Sequence, residues 1–130
     1  MQAQVEDFES AVKDLLVISE SESNIFVEEW GETNAIQIAW VLEQLGLDAS
    51  TPYSEIDPMV FLDKYATQKE YFDDYQKQEA MRFLSLKTLI SEQLTDVKAF
   101  KIGSVRFTVI IAGYLSECNV LALRMKVVET

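Results

Sequence analysis

Carboxylates dominate the side chains of this sequence that could do chemistry. They occur in three close groups: the acidic serine run Ser19–Ser23 and the pairs Glu28-Glu29 and Asp73-Asp74. Paired carboxylates can act as general acid and base, or they can hold a metal ion. Neighbouring residues on a strand point to opposite faces, so Glu28 and Glu29 would not converge on one site if that segment is extended. We interpret both pairs as solvated surface acids, because exposed carboxylates are ordinary.

The sequence contains no histidine and a single cysteine, Cys118. These counts exclude Ser-His and Cys-His nucleophilic units, histidine-containing zinc sites and an intrachain disulfide. A phosphate-binding glycine-rich motif is also missing, and there are only four glycines in the chain. We therefore expect no catalytic residues, no cofactor and no metal site of the chain's own. An enzyme would need carboxylates assembled from Glu20, Glu22, Glu28 or Glu29.

The net charge of −11 is concentrated in the first half of the chain. Residues 1–60 contain 13 acidic side chains and one basic one, whereas residues 61–130 contain 9 acidic and 10 basic ones. Nucleic-acid binding relies on Lys and Arg to neutralise phosphates, so we expect no direct contact with nucleic acid or an anionic membrane. Acidity also confers solubility, but a negative surface suits a basic protein partner, whose approach it would steer.

The length and hydropathy of the chain fit one domain over residues 1–130. A chain of 130 residues with 48% hydrophobic content can bury one proper core. The most hydrophobic run, Val105–Leu115, is interrupted by polar residues and falls short of the roughly 18–20 apolar residues of a membrane span. The first residues lack the basic region and apolar stretch of a secretory signal, so we expect a cytoplasmic protein.

The first half of the chain predicts helices around one strand. Apolar residues at helical spacing predict an amphipathic helix over 4–18. The run Ser19–Ser23 then reads as a loop that leads to a strand over 25–30. Thr33 or Asn34 is expected to cap a second helix that runs to Leu45 and ends at Gly46.

The middle of the chain predicts two further helices. Asp57-Pro58 starts a short helix through Tyr65, with proline at the first helical position. Thr67–Glu70 has the spacing of a capping box and is expected to begin a long helix. Its apolar face is formed by Ala80, Phe83, Leu86 or Lys87, Ile90 and Leu94.

The last third predicts strands over Val97–Ile102, Val105–Gly113 and Val120–Val128. Gly103-Ser104 fits a two-residue hairpin turn, so the three strands form consecutive antiparallel hairpins. The nearly continuous apolar segment Thr108–Ala112 indicates a strand covered on both faces. With the strand over 25–30, these segments predict an α+β fold: a four-stranded, mostly antiparallel sheet flanked by helices.

Three segments together resemble the nuclease A inhibitor family: Leu15–Glu22 before an aromatic-rich strand, Leu94–Val97 before the hairpins at Ile102-Gly103, and the closing Lys126–Thr130. They occur in the right order over almost the whole chain. The resemblance implies a three-layer α-β-α sandwich. It also implies a monomeric protein that binds sugar-nonspecific endonucleases of the ββα-metal type and blocks their active site.

The resemblance also assigns roles to particular residues. Glu20 matches a residue at the centre of the interface, and Thr130 matches the one whose terminal position reaches the nuclease's catalytic magnesium. The metal would therefore belong to the partner. The implied partner-binding residues are Glu20, Glu22, Glu70, Tyr71, Phe72, Glu129 and Thr130.

The chain departs from the family pattern in two places. Tyr71 and Phe72 stand in an aromatic stretch that carries Trp and one more residue in the family, and they could instead pack inward as a hydrophobic staple. The segment Ser23-Asn24-Ile25 replaces an aromatic-proline pair. A different class also fits the composition, namely an acidic chaperone or adaptor domain, similar to secretion chaperones, that binds a basic protein. Such chaperones are usually dimers.

Overall fold

The computed structural model describes residues 2–116 and 118–128. Within these ranges the chain is α+β, as predicted, with four helices and seven strands. None of the described helices is long and apolar enough to span a membrane. The elements are α1 (Gln2–Val12), β1 (Leu16–Ile18), β2 (Glu22–Asn24), β3 (Phe26–Glu32), α2 (Ile38–Leu45), β4 (Tyr53–Ile56), α3 (Pro58–Ala66), α4 (Asp74–Gln93), β5 (Thr95–Gly103), β6 (Arg106–Ser116) and β7 (Asn119–Val128).

The main sheet has five strands in the order β3-β7-β6-β5-β4, with every neighbouring pair antiparallel. The antiparallel hairpins of the last third are confirmed, but the prediction of four strands is wrong. The additional strand is β4, which pairs along β5 from Tyr53↔Ile102 to Ile56↔Ala99. Strand β4 lies at the edge of the sheet, where three of its four residues are exposed. Its sequence therefore lacks the alternating apolar pattern of a half-buried strand.

A second, two-stranded sheet forms where a helix and a loop were predicted. Helix α1 ends at Val12, and Asp14 adopts a left-handed φ of 59° that turns the chain out of the helix. Leu15 and Val17 are both buried, while Ile18 is exposed. This spacing of two is that of a strand, so the apolar run continues as β1 rather than as α1. The acidic serine run is therefore the hairpin between β1 and β2.

Helix α2 starts later than predicted. Its N-cap is Gln37, whose side chain makes no capping hydrogen bond. The hydroxyl of Thr33 instead donates to the carbonyl oxygen of Ala35, a local turn that competes with helix initiation. The predicted end is confirmed, since Gly46 adopts the left-handed conformation with a φ of 69°.

The predicted start of α3 is confirmed, whereas the capping box of α4 lies further along the chain. Asp57 accepts hydrogen bonds from the amides of Met59 and Val60, and Pro58 follows at the first helical position. The capping box of α4 is formed by Asp73 and Gln76, not by Thr67 and Glu70.

Thr67 is instead the C-cap of α3, where its hydroxyl donates to the Asp63 carbonyl oxygen. As a result, Glu70, Tyr71 and Phe72 lie in the connection between α3 and α4, and α4 begins at Asp74.

The core consists of two buried clusters separated by the central strands. Along β6, Val109 and Ile111 belong to the first cluster, and Ile110 and Ala112 belong to the second. All four side chains are fully buried, which confirms that both faces of this strand are covered. Helices α1, α3 and α4 contribute to the first cluster, whereas α2 contributes to the second.

The hairpin between β5 and β6 turns one residue later than predicted. Strand β5 continues through Gly103, and the chain reverses at Ser104 and Val105. Gly103 has a φ of 115°, and a Cβ atom there would lie 2.7 Å from the carbonyl oxygen of Arg106. Only glycine fits this turn without strain.

Candidate functional site

The acidic hairpin presents two predicted site residues on the surface. Glu20 lies in the turn between β1 and β2, which is closed by a 2.8 Å hydrogen bond from the Ser19 amide to the Ser21 carbonyl oxygen. Glu22 is the first residue of β2 and pairs with Ile18 across the hairpin. Both glutamates are exposed. The hairpin therefore holds two carboxylates on a short, hydrogen-bonded scaffold.

Hydrogen bonds join this hairpin to the end of the last strand. The hydroxyl of Ser23 accepts from the amide of Lys126 at 2.9 Å, and the hydroxyl of Ser19 accepts from the amide of Val128 at 3.0 Å. The amide of Glu20 donates to the carbonyl oxygen of Val128 at 3.4 Å. Glu20 therefore lies beside the last described residue of β7.

Two of the predicted site residues, Glu129 and Thr130, lie outside the described residues. In the sequence they directly follow Val128, the residue that Ser19 and Glu20 contact. The structure thus brings together the predicted acidic turn and the strand that leads to the predicted C-terminal residues.

The third predicted segment, Glu70–Phe72, lies in the connection before the first turn of α4. Only Leu94 separates α4 from β5, and β5 begins at the end of the sheet opposite to Val128. A helix of 20 residues is about 30 Å long, and α4 lies against the first cluster of the core. Its last turn therefore lies at the end of the sheet opposite to Val128.

The side chains of this segment differ in burial. Tyr71 is 78% exposed, whereas Phe72 is half-buried and contacts Tyr71 edge to face at a centroid distance of 5.4 Å. The alternative in which Tyr71 packs inward as a staple is therefore wrong. Glu70 is also exposed. The segment presents one acid and one aromatic ring to the surroundings, and exposed aromatic rings are common anchors at protein interfaces.

An exposed aliphatic side chain beside Glu20 was not predicted. Ile18 is 58% exposed and lies across the hairpin from Glu22. The sequence does contain a signal for this position. Leu15 and Val17 are two residues apart and both buried, which is the spacing of one face of a strand, so Ile18 belongs to the opposite, outer face. The exposed surface of the hairpin therefore carries an apolar side chain as well as negative charge.

The carboxylate pairs that could act as catalytic groups contain residues with different structural roles. Glu28 forms an ion pair with Arg124 at 2.7 Å and accepts a hydrogen bond from the indole of Trp30, while Glu29 is exposed. Asp73 is occupied as the N-cap of α4. Over residues 2–116 and 118–128, no group of three potential ligands is arranged to hold a metal ion.

Exposed acids are frequent on the first described elements of the chain, and basic side chains are rare there. These acids lie on α1, on the turn that follows it, on the hairpin and on β3. The exposed acids of this region are Glu6, Asp7, Glu9, Asp14, Glu20, Glu22, Glu29 and Glu32. Such a surface attracts a basic macromolecule and repels nucleic acid. Its charge suits a basic protein partner.

The comparisons with known proteins point in the same direction. The family model described as nuclease A inhibitor-like protein matches residues 2–130. No match is found among individually curated proteins.

Proposed function

The chain belongs to the nuclease A inhibitor-like family, and on that premise we propose that it binds a sugar-nonspecific endonuclease of the ββα-metal type and blocks its active site. The observation that carries this proposal is the contact between the Glu20 turn and Val128. This contact holds the Glu20 turn beside Val128, and the family resemblance directs Glu20 and Thr130 at the nuclease.

The chemistry of the partner explains why carboxylates suit this role. The active site of such a nuclease binds a polyanion and a magnesium ion, so it is positively charged. A hard cation prefers oxygen ligands, and the terminal carboxylate at Thr130 would complete the coordination of the partner's magnesium. The Glu20 carboxylate would take the place of substrate phosphate among the basic groups of the groove.

The other residues that the resemblance assigns to the interface would contact the nuclease around Glu20 and Thr130. Tyr71, beside Glu70 and Phe72, would pack against the nuclease, and Glu22 and Glu129 would add charge at either side. The negative surface of α1, the hairpin and β3 would steer the basic partner toward the interface. The proposed role is therefore tight, stoichiometric binding.

The family membership supports a binding protein that is not an enzyme. Glu28 is ion-paired with Arg124, and Asp73 caps α4. The two core clusters on opposite faces of β6 support the three-layer α-β-α arrangement. A single domain, a cytoplasmic location and a monomeric state stay predictions.

Light scattering on the separated species tests the proposal against the alternative of a chaperone or adaptor. We expect the chain alone to have the mass of a monomer, and its mixture with a ββα-metal endonuclease to contain a complex of one copy of each. A dimer of the chain that leaves the nuclease unbound would contradict the proposal and favour the chaperone alternative.

A further inference from the structure

Strand β7 has two different neighbours along one of its edges. Strand β3 pairs with β7 only as far as Phe26↔Arg124, although β7 continues to Val128. On its other edge, β6 pairs with β7 all the way to Arg106↔Val128. Backbone groups of β7 beyond Arg124 therefore need another partner, since an open strand edge leaves N–H and C=O groups unpaired.

Serine hydroxyls of the β1–β2 hairpin supply that partner. The amides of Lys126 and Val128 are two residues apart, so they point to the same side of the strand. They donate to the hydroxyls of Ser23 and Ser19, respectively, at 2.9 and 3.0 Å. The Ser23 hydroxyl in turn donates to the Asn24 carbonyl oxygen at 2.8 Å, so it acts as both donor and acceptor.

This arrangement accounts for two of the three serines in the acidic run. Ser19 and Ser23 lie toward β7, with Ser23 buried and Ser19 half-buried, whereas Glu20 and Glu22 are exposed. Ser19 and Ser23 attach the hairpin to the last strand, and the two glutamates remain on the surface.

We propose that Ser19 and Ser23 are positioning residues of the inhibitor, which fix the end of β7 relative to Glu20. This inference rests on the proposed function, because it concerns the same binding surface. Chain ends fray unless they are tied down, and a group that is already held in its bound position loses less entropy when it binds. The two hydroxyls would hold Lys126 and Val128, which precede Thr130 in the sequence, beside the Glu20 turn.

Amide hydrogen exchange tests the attachment without any nuclease. Ser19→Ala should accelerate exchange of the Val128 amide about fivefold, and Ser23→Ala should do the same for Lys126, as expected for loss of one hydrogen bond. Ser91→Ala is the matched control, because the Ser91 hydroxyl is bonded within α4 to the Lys87 carbonyl oxygen. Unchanged exchange at Val128 in Ser19→Ala would overturn the inference.

Inhibition of a ββα-metal endonuclease tests whether the attachment serves binding. Ser19→Ala should raise the inhibition constant about fivefold, and Ser19→Thr, which retains a hydroxyl, should restore most of the loss. In a chain that lacks Thr130, Ser19→Ala should have no further effect, because the residue that it positions is gone. A purely structural role predicts the same loss in both backgrounds, and that result would overturn the inference.

The two readouts separate this inference from the proposed function. If the unmodified chain does not inhibit the nuclease, the proposed function fails, whatever the exchange rates are. If the unmodified chain inhibits and Ser19→Ala leaves both exchange and inhibition unchanged, the proposed function stands and the positioning role is wrong.

Discussion

The backbone amide of Glu20 donates a hydrogen bond to the carbonyl oxygen of Val128, over 3.4 Å. These residues lie near opposite ends of the sequence, but the contact makes the acidic turn and the end of the last strand one local unit. The family resemblance directs Glu20 and Thr130 at the same nuclease site. Because of this contact, a change in the Glu20 turn is expected to influence the end of β7.

The first prediction concerns the charge of Glu20. Glu20→Gln should weaken nuclease binding by about 2 kcal/mol or more, roughly thirtyfold, because it leaves a basic group of the partner buried without its counter-charge. The dissociation constant from calorimetry measures the effect. Glu55→Gln is the matched control, since it changes the net charge equally on the exposed edge strand β4. Equal losses for both variants would show that only overall charge matters.

The second prediction concerns the exposed ring of Tyr71. Since this side chain is 78% exposed, Tyr71→Ala should change the free energy of unfolding by less than about 0.5 kcal/mol. Loss of an aromatic anchor should nevertheless weaken nuclease binding by about 1–2 kcal/mol. Leu84→Ala, which truncates a 51% exposed side chain in the middle of α4, is the control and should leave binding unaltered. Unaltered binding in Tyr71→Ala would exclude this segment from the interface.

The third prediction concerns ionic strength. The net charge of −11 lies mainly in the exposed acids of the first half, so electrostatic attraction should accelerate association with a basic partner. The Debye length falls from about 10 Å at 0.1 M salt to about 3 Å at 1 M. Stopped-flow measurements should therefore show an association rate constant that falls steeply with salt, while the dissociation rate constant changes much less. An association rate independent of salt would argue against electrostatic steering.

The fourth prediction compares two glycines with positive φ. Gly46→Ala should lower the free energy of unfolding by about 1–2 kcal/mol, because its φ of 69° is unfavourable for alanine. The space around Gly46 is open, so the new methyl group adds no steric clash. Gly103→Ala should cost more, because the new Cβ atom would also meet the Arg106 carbonyl oxygen at 2.7 Å. Urea denaturation measures both values. If the two variants lose the same stability, the close approach at Gly103 is not a constraint.

The sequence predicts the helix ends that are determined by residues close to them in the chain. Asp57-Pro58 caps α3 and Gly46 ends α2 because each acts on its own backbone segment. The capping box was misplaced because the segments starting at Thr67 and Asp73 have similar spacing, and only the fold decides between them. The Thr67 hydroxyl is already occupied by the last turn of α3.

The β1–β2 hairpin could not be predicted from local sequence. Its strands have three residues each, too few for a clear period, and its stability comes partly from hydrogen bonds to Lys126 and Val128. Strand β4 gives no clear local signal for a similar reason, since it has four residues and pairs with β5 at the edge of the sheet. The resemblance points to Glu20, whereas the contacts of Ser19 and Ser23 join residues more than 100 positions apart and leave no local signal.

The most direct test of the account is a titration of a purified ββα-metal endonuclease with the chain, in the presence of magnesium and DNA. We predict that DNA cleavage falls linearly and ends near one copy of the chain per nuclease, with the same stoichiometry by calorimetry. Removal of Thr130 should leave residual cleavage at that ratio. Unchanged cleavage in the presence of excess chain, together with no heat of binding, would contradict the central claim that this protein is a nuclease inhibitor.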